Sequence, residues 1–200
     1  MTNREYDELL RREEGIALLC GVDEAGRGPL AGPVFAAAVI FRPGETPQGL
    51  DDSKKLSEKK RDALFDVICN SALTYGIASA SVEEIEELNI LQATFLAMRR
   101  AVDMLSVTPD RILIDGNRVP PELSATGRYL IKGDSLSASI GAASILAKVS
   151  RDRYMLEMDA RYPQYAFAKH KGYGTALHYE RLAQYGLSPI HRPSFLKKIL

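Results

Sequence analysis

The sequence predicts a protein of the α/β class, in which short apolar strands alternate with amphipathic helices. One indication is residues 18–22, a short apolar run that ends in two adjacent acids. A second is residues 111–114, an apolar run that ends in Asp115 and is followed by glycine. A third is the spacing of three and four between apolar residues over 88–105, which is typical of a helix packed on a sheet.

Length and composition indicate one globular domain. The chain has 200 residues, 46% hydrophobic and 26% charged, which is enough for a proper core. With 26 basic and 26 acidic residues the net charge is zero, so any binding to nucleic acid must come from local patches. Cys20 and Cys69 lack metal-ligand spacing, the charged N-terminus is unlike a secretory leader, and no membrane span is evident. We therefore expect reduced thiols and a cytoplasmic protein.

The first fifteen residues predict a helical extension to the main domain, which we place at residues 16–200. Residues 3–14 are helix formers with a narrow apolar stripe of Tyr6, Leu9 and Leu10 among charges. We expect this helix to lie on the surface of the domain and to carry no chemistry.

The first strand leads into Asp23 and Glu24 and then into a glycine-rich turn that holds Gly26, Arg27 and Gly28. Burial of carboxylates is unfavourable unless a cation or several donors compensate the charge, which indicates a divalent metal. The glycines let backbone amides approach a ligand, and the guanidinium suits phosphate or sugar oxygens. This turn therefore predicts the edge of an active site.

Two other interpretations of the turn are open. Gly26, Gly28 and Ala31 satisfy the loose G-x-G-x-x-[GA] dinucleotide pattern, which requires a helix to follow. Prolines interrupt the segment, however, and residues 34–41 predict a second strand. The purely structural alternative is a tight hairpin with exposed acids.

The middle of the chain predicts one anion-binding candidate and further core elements. Lys54 precedes a helix over 58–72, where it suits an anion, although a solvated lysine is the alternative. Residues 74–80 predict a third strand. The capping box at 81–84 then begins a long helical stretch that Pro109 ends, and its apolar face belongs to the core.

Two later acids repeat the opening pattern. Asp115 ends the strand at 111–114, and Asp134 follows a short strand at 129–131. Because sites in α/β folds are built at strand ends, we expect these acids to converge with those of the first strand.

The C-terminal third predicts one long helix and a basic tail. Small residues at 141–144 permit close packing of a helix over 137–162, and residues 151–153 are interpreted as a helix face with charge partners, Asp152 being a weaker catalytic candidate. A helix near 175–184 follows. Basic residues beside aromatics at 169–173 and 191–195 predict a nucleic-acid edge, while the end of the tail is expected to be packed.

Together these motifs resemble the bacterial ribonuclease HII family, the type 2 ribonucleases H, over nearly the whole chain. Each motif alone is weak, but their order is specific. The matching stretches are residues 22–30, 52–57, 114–117, 132–135, 144–149, 170–173 and 191–195.

The resemblance implies a ribonuclease H-like α/β fold, with a central mixed sheet flanked by helices and a C-terminal helical portion, for the catalytic domain at 16–200. It implies a catalytic carboxylate quartet that binds Mn²⁺ or Mg²⁺, oxygen ligands being those that such ions prefer. The quartet falls on Asp23, Glu24, Asp115 and Asp134, and the motif that reads the RNA–DNA junction falls on Gly26, Arg27, Gly28 and Tyr173. As further substrate-binding residues we expect Lys54 and Lys171 to hold phosphates together with Arg27.

The implied activity is hydrolysis of the RNA strand of RNA–DNA hybrids and incision 5′ of single ribonucleotides in duplex DNA. Two ions about 3.5–4 Å apart would give 3′-hydroxyl and 5′-phosphate ends. The backbone of the glycine turn would reach the 2′-hydroxyl, and Tyr173 would stack on the adjoining deoxyribose. The implied enzyme is a monomer that serves ribonucleotide excision repair. A DNA nuclease or resolvase of the same broad fold is the alternative, and a non-enzymatic nucleic-acid binder is a rival class.

Overall fold

The computed structural model describes residues 1–50 and 56–197. Within these ranges a mixed sheet of five strands forms the centre of the molecule, in the order β3-β2-β1-β4-β5. The strands are β1 (Leu19–Ala25), β2 (Val34–Ile40), β3 (Thr74–Ala80), β4 (Arg111–Asp115) and β5 (Gly127–Leu130).

Helices cover both faces of this sheet and form the C-terminal part, which confirms the predicted fold class. In the described ranges they are α1 (Asn3–Glu14), α2 (Glu58–Ser71), α3 (Val82–Leu88), α4 (Ile90–Asp103), α5 (Gly133–Leu136), α6 (Ala138–Arg161), α7 (Phe167–His170), α8 (Ala176–Tyr185) and α9 (Pro193–Leu196). None of the helices described is both long and apolar enough to cross a bilayer.

Strand direction brings the acids of β1 and β4 to one edge of the sheet. β1 pairs antiparallel with β2 but parallel with β4, with Val22 opposite Ile114. The next residue on each strand is an aspartate, Asp23 or Asp115. The parallel register thus places the two carboxylates side by side, as expected for neighbouring strand ends.

Two hydrophobic clusters lie on opposite faces of the sheet. One includes Ala97, Met98 and Ala101 of α4, and the other includes Ala142 and Ala143 of α6. The second face is especially close, because a Cβ built on Gly21 of β1 would lie 2.1 Å from the backbone of α6. The absence of a side chain at Gly21 therefore allows the start of α6 to lie directly on β1, two residues before Asp23.

The sequence predicts a single long helical stretch after residue 81. The prediction of one continuous helix is wrong, because the structure has two helices, α3 and α4. Asn89, with φ of +71° and ψ of 163°, ends α3 in a region of backbone space that is populated almost entirely by glycine. Its side-chain oxygen then accepts from the amides of Leu91 and Gln92 and caps α4. The predicted capping box of Ser81 and Glu84 does begin α3.

The N-terminal helix α1 buries a polar stripe as well as the predicted apolar one. Tyr6 and Leu10 pack in a cluster with the core, whereas Asn3, Asp7 and Arg11 are also buried. Asp7 accepts hydrogen bonds from the amide and the hydroxyl of Ser139 at the start of α6, each 2.8 Å. The helix is therefore held to α6 by polar contacts, while the domain division at residue 15 stays a prediction.

Candidate active site

A cleft of about 500 Å³ lies at the edge of the sheet where β1 and β4 end. Its walls combine the acids of the sheet, the glycine-rich turn after β1, and side chains from α2, α6 and the segment after α7. The lining residues are Asp23, Glu24, Ala25, Gly26, Arg27, Gly28, Arg61, Asp115, Ser144, Lys148 and Tyr173.

Asp23 is the most deeply placed acid of the cleft, with 5% of its surface exposed. Burial raises the pKa of Asp23 well above the ordinary value, and the nearby carboxylates of Glu24 and Asp115 raise it further. A hydrogen bond from Ser144 acts in the opposite direction. The carboxylate is therefore held where its own charge is unfavourable unless a cation compensates it.

Glu24 lies at a rim between two cavities. It lines the main cleft and also a cavity of about 280 Å³ toward α4, in which Asn117 and Arg118 lie. Burial raises the pKa of Glu24, while Arg27, whose Nη1 is 3.3 Å from the Glu24 Oε1, lowers it. Pairing with β2 stays regular through Ala25, so the side chains of Asp23 and Glu24 leave β1 on opposite faces, and both line the cleft because it opens at the end of the strand.

Asp115 is fixed by the backbone that follows β5. Its Oδ1 accepts from the amide of Gly133 at 2.6 Å and from the amide of Asp134 at 3.4 Å. Gly116, with φ of +109°, turns the chain directly after the acid. These contacts place the β4 carboxylate beside α5.

Asp134 lies in the short helix α5 rather than at the end of a strand as the sequence predicted. β5 ends at Leu130, and Lys132 turns the chain with φ of +57° before the helix. Asp134 is buried, and it does not line the cleft that holds the other acids. Over residues 1–50 and 56–197, no three His, Cys, Asp or Glu side chains are grouped so as to hold an ion. A ligand role for Asp134 stays a prediction.

The glycine-rich turn is a preformed loop, not the start of a helix. Gly26 has φ of +100°, and a Cβ on it would lie 2.2 Å from the Arg151 Nε, so a side chain is excluded there. Gly28 faces open space, and half of the Arg27 side chain is exposed. Because β2 follows the turn, the dinucleotide interpretation is excluded, and the burial of Asp23 excludes the hairpin with exposed acids.

Two buried arginines that the sequence analysis did not assign to the site hold this loop from behind. Arg192 donates to the carbonyl oxygens of Gly26 (2.7 Å), Arg27 (3.1 Å), Pro29 (2.9 Å) and Gly32 (2.8 Å). Arg151 donates to those of Ala31 (3.0 Å), Pro33 (3.3 Å) and Lys171 (2.9 Å).

The burial of both arginines contradicts the sequence prediction, because neither side chain is exposed to solvent, as a contact with nucleic acid would require. The sequence predicts charge partners for residues 151–153 and a nucleic-acid edge at Arg192. Asp152 pairs with Lys148 and Arg153 with Asp62, whereas Arg151 donates to backbone carbonyls. His170 and His191 of the same basic motifs are buried too. Burial lowers the pKa of Arg192 to about 9, so it remains charged at neutral pH.

Tyr173 reaches the cleft from the segment after α7, with 44% of its surface exposed. The Lys148 Nζ lies 5.9 Å from the ring centroid and the Arg151 Cζ 5.8 Å. Lys148 also pairs with Asp152, with Nζ 2.7 Å from Oδ1. The tyrosine therefore presents its ring beside two cations at the same cleft as the acids.

Other residues predicted to bind substrate do not line the cleft, while some residues that were not predicted do. Lys54 falls outside the described residues, and the Lys171 Nζ donates to the carbonyl of Ala168 at 2.6 Å rather than lining the cleft. Arg61, Ser144 and Lys148 line the cleft although the sequence pattern did not single them out. Ser144 and Lys148 belong to a matched motif, which was the available signal, and Arg61 had no such signal.

Comparison of structures relates this architecture to known nucleases. The crystal structure of the ribonuclease H2 from Pyrococcus horikoshii OT3 has a TM-score of 0.76 at 28% identity, covering 91% of this chain and 96% of that chain. A structure of Bst-RNase HIII in complex with Mn²⁺ has a TM-score of 0.66 at 18% identity, covering 89% and 66%, and shows the fold alone. The fold and the acid-lined cleft thus define a nuclease of the ribonuclease H-like class.

Sequence comparison identifies the family within this class of nucleases. The family model for Ribonuclease HII matches residues 20–198. A ribonuclease HII of Marinomonas sp. (strain MWYL1) is 60% identical over 92% of this chain and 93% of its own, and one of Caldicellulosiruptor bescii is 54% identical over 98% and 94%. This chain belongs to the ribonuclease HII family. It is an enzyme, an endoribonuclease of the ribonuclease H type.

Proposed function

We propose that this enzyme hydrolyses the RNA strand of RNA–DNA hybrids and incises duplex DNA on the 5′ side of a single embedded ribonucleotide, leaving a 3′-hydroxyl and a 5′-phosphate. The observation that carries the proposal is that one cleft is lined by three acids, by the glycine loop and by the exposed ring of Tyr173. The groups proposed for hydrolysis and those proposed for ribose recognition therefore line the same cleft.

The donor set of the cleft fits a hard divalent ion. The pKa values of Asp23 and Glu24 are raised by burial and by neighbouring carboxylates, an unfavourable arrangement that a bound dication offsets. Oxygen ligands without His or Cys suit Mg²⁺ or Mn²⁺. We propose that Asp23, Glu24, Asp115 and Asp134 hold two such ions, which when bound supply a more acidic attacking water and offset charge on the leaving oxygen.

The other residues of the cleft position the substrate in this proposal. Arg27, Arg61 and Lys148 provide positive charge for phosphates, which fixes register without sequence preference. Lys54 and Lys171 are proposed to contribute farther along the strand. The backbone of Gly26 and Gly28 approaches the 2′-hydroxyl, since no side chain stands in the way, and Tyr173 packs on the neighbouring deoxyribose.

The testing experiment compares three duplexes in Mg²⁺, Mn²⁺ or EDTA and maps each cut at nucleotide resolution. One duplex carries a single ribonucleotide, one is a continuous RNA–DNA hybrid, and one is all DNA. Ion-dependent incision 5′ of the ribonucleotide supports the proposal. Cutting of the hybrid alone would contradict the embedded-ribonucleotide activity, and cutting of the all-DNA duplex would favour a DNA nuclease or resolvase.

We also propose that the enzyme acts as a cytoplasmic monomer in ribonucleotide excision repair. Cys20 and Cys69 form no disulfide in the described part of the chain, which supports a reducing compartment. Sedimentation of the purified enzyme tests the monomer, and ribonucleotide content of DNA in a deletion strain tests the repair role.

A further inference from the structure

Two buried histidines, His191 and His178, form a directed hydrogen-bond chain that ends on the backbone of Tyr173. The amide of Ser188 donates to the His191 Nδ1 at 2.8 Å, so that nitrogen is an acceptor and the proton of neutral His191 resides on Nε2. His191 Nε2 is 3.0 Å from the His178 Nε2, which must then accept. The His178 Nδ1 therefore carries the other proton and donates to the carbonyl of Tyr173 at 2.9 Å.

The third histidine holds the same segment from its other side. The amide of Gly172 donates to the His170 Nδ1 at 3.2 Å, and the His170 Nε2 then donates to the carbonyl of Tyr165 at 3.0 Å. The rings of His170 and His178 stack, with centroids 4.3 Å apart. The amide of Gly172 and the carbonyl of Tyr173 are thus each held by an imidazole, and backbone amides fix the tautomers of His170 and His191.

The residue that follows His191 fixes the glycine loop. Arg192 is completely buried and donates to four carbonyls of residues 26–32. Leu30 connects the two halves, because its amide donates to the carbonyl of Gly172 and its carbonyl accepts from the amide of Arg192, each at 2.8 Å. One dipeptide therefore contacts both the loop and the chain of histidines that leads to Tyr173.

We propose that the His191-Arg192 dipeptide determines substrate specificity by fixing the spacing between the Gly26–Gly28 loop and Tyr173. Neither side chain touches the cleft, so both are positioning residues. The inference rests on the proposed function, in which the loop reads the ribose and Tyr173 the adjoining deoxyribose. Discrimination of a single hydroxyl requires both groups to be held at one distance before substrate binds.

The test measures kcat and KM on two substrates, a duplex with one ribonucleotide and a continuous hybrid, and takes the ratio of the two kcat/KM values. His191→Phe removes the donor to His178, and His191→Gln retains a donor and an acceptor. Arg192→Lys keeps the charge but cannot reach four carbonyls. Ile68→Ala is the matched control, since it opens a cavity where α2 packs against α6 and β2, in a cluster that contains neither His191 nor Arg192.

We expect His191→Phe and Arg192→Lys to lower the ratio by about tenfold or more, and His191→Gln and Ile68→Ala to stay within about threefold of the parent. Thermal unfolding of each variant shows that the protein is folded. A ratio unchanged in folded His191→Phe would overturn the proposal, and so would an unchanged ratio in Arg192→Lys should the phenylalanine variant not fold. A parent enzyme that leaves the embedded ribonucleotide uncut would overturn the proposed function and this inference together.

Discussion

Asp23 shows that a carboxylate lining the cleft can be unfavourable for stability. Its pKa is raised in the folded protein, so its contribution to stability is present at low pH and is lost as pH rises through the folded-state pKa. At neutral pH the charge therefore destabilises the fold. We expect Asp23→Asn to raise the free energy of unfolding in EDTA by about 1–2 kcal/mol, as measured by urea titration.

The exposed helical acid Asp103 provides the control for that measurement. Asp103→Asn removes the same charge from the end of α4 without removing buried repulsion, so its unfolding midpoint should hardly move. A stability for Asp23→Asn at or below that of the parent would show that the repulsion is already relieved.

Asp115 is suited to a test that separates chemistry from folding. Asp115→Asn keeps an oxygen that can accept from the Gly133 amide, so the contact with α5 survives. Loss of the charge should lower ion-dependent cleavage by about a hundredfold or more. The measurement is single-turnover cleavage of an RNA–DNA hybrid with circular dichroism of the same sample. Turnover like that of the parent would refute the catalytic assignment.

Tyr173 is predicted to matter more for one substrate than for the other. Tyr173→Ala removes the ring from the cleft and should reduce incision at a single ribonucleotide more than cleavage of a continuous hybrid, by about tenfold in the ratio of kcat/KM. Tyr173→Phe keeps the ring and serves as the control. Equal losses on both substrates would count against reading of the deoxyribose.

The sequence revealed the acids of the cleft but not the arginines behind it, for a physical reason. Asp23 and Asp115 follow apolar strands, and this local pattern alone marks a strand end with a site. Arg192 is satisfied by carbonyls more than 150 residues away in the chain, so no neighbouring residue signals its burial. Burial of a guanidinium by backbone oxygens depends on tertiary structure, which a linear pattern does not contain.

At the scale of elements, α1 depends on one buried carboxylate. Asp7→Ala leaves the Ser139 amide and hydroxyl without their acceptor, and we expect a loss of about 2–3 kcal/mol in the free energy of unfolding. Burial raises the pKa of Asp7, so Asp7→Asn, which retains an acceptor without a charge, should be close to neutral. Guanidinium unfolding distinguishes the two variants, and equal losses would show that the charge itself holds the helix.

The positions of helices and strands were predictable wherever the sequence pattern was local. Whether a helical stretch is continuous was not predictable. The strands at 74–80 and 111–114 and the helices at 3–14 and 58–72 agree with the observed elements to within a residue or two. The break at Asn89 was not predicted, because the spacing of apolar residues continues across it. A single residue that ends one helix and caps the next does not change the hydrophobic periodicity.

At the scale of the whole molecule, the histidine chain predicts how stability depends on pH. Burial lowers the pKa values of His178 and His191 to about 4, so the unfolded chain takes up their protons first as pH falls below about 6.5. We expect each to reduce the free energy of unfolding by about 1–2 kcal/mol between pH 7 and pH 5. His170, whose pKa burial also lowers, faces the pair and adds in the same direction.

The acids of the cleft affect the pH dependence of stability in the opposite direction to the histidines. The measurement therefore compares the pH dependence of the thermal midpoint between a variant and the parent. Asp23 and Glu24 have raised pKa values and gain protons more readily in the folded state. His191→Gln removes one histidine and leaves these acids in place, and its thermal midpoint should fall less steeply than that of the parent from pH 7 to pH 5. Parallel curves would contradict the assignment.

The buried arginines also have a consequence for biosynthesis. Arg192 holds a loop that precedes it by 160 positions or more, and ribosomes add about 5–20 residues per second, so the loop leaves the ribosome about 8–30 s before its support does. Until Arg192 has been made, the loop lacks the four carbonyl contacts that this side chain supplies. We expect translation intermediates to be inert, so that the enzyme acquires selectivity in one late folding event rather than gradually during synthesis.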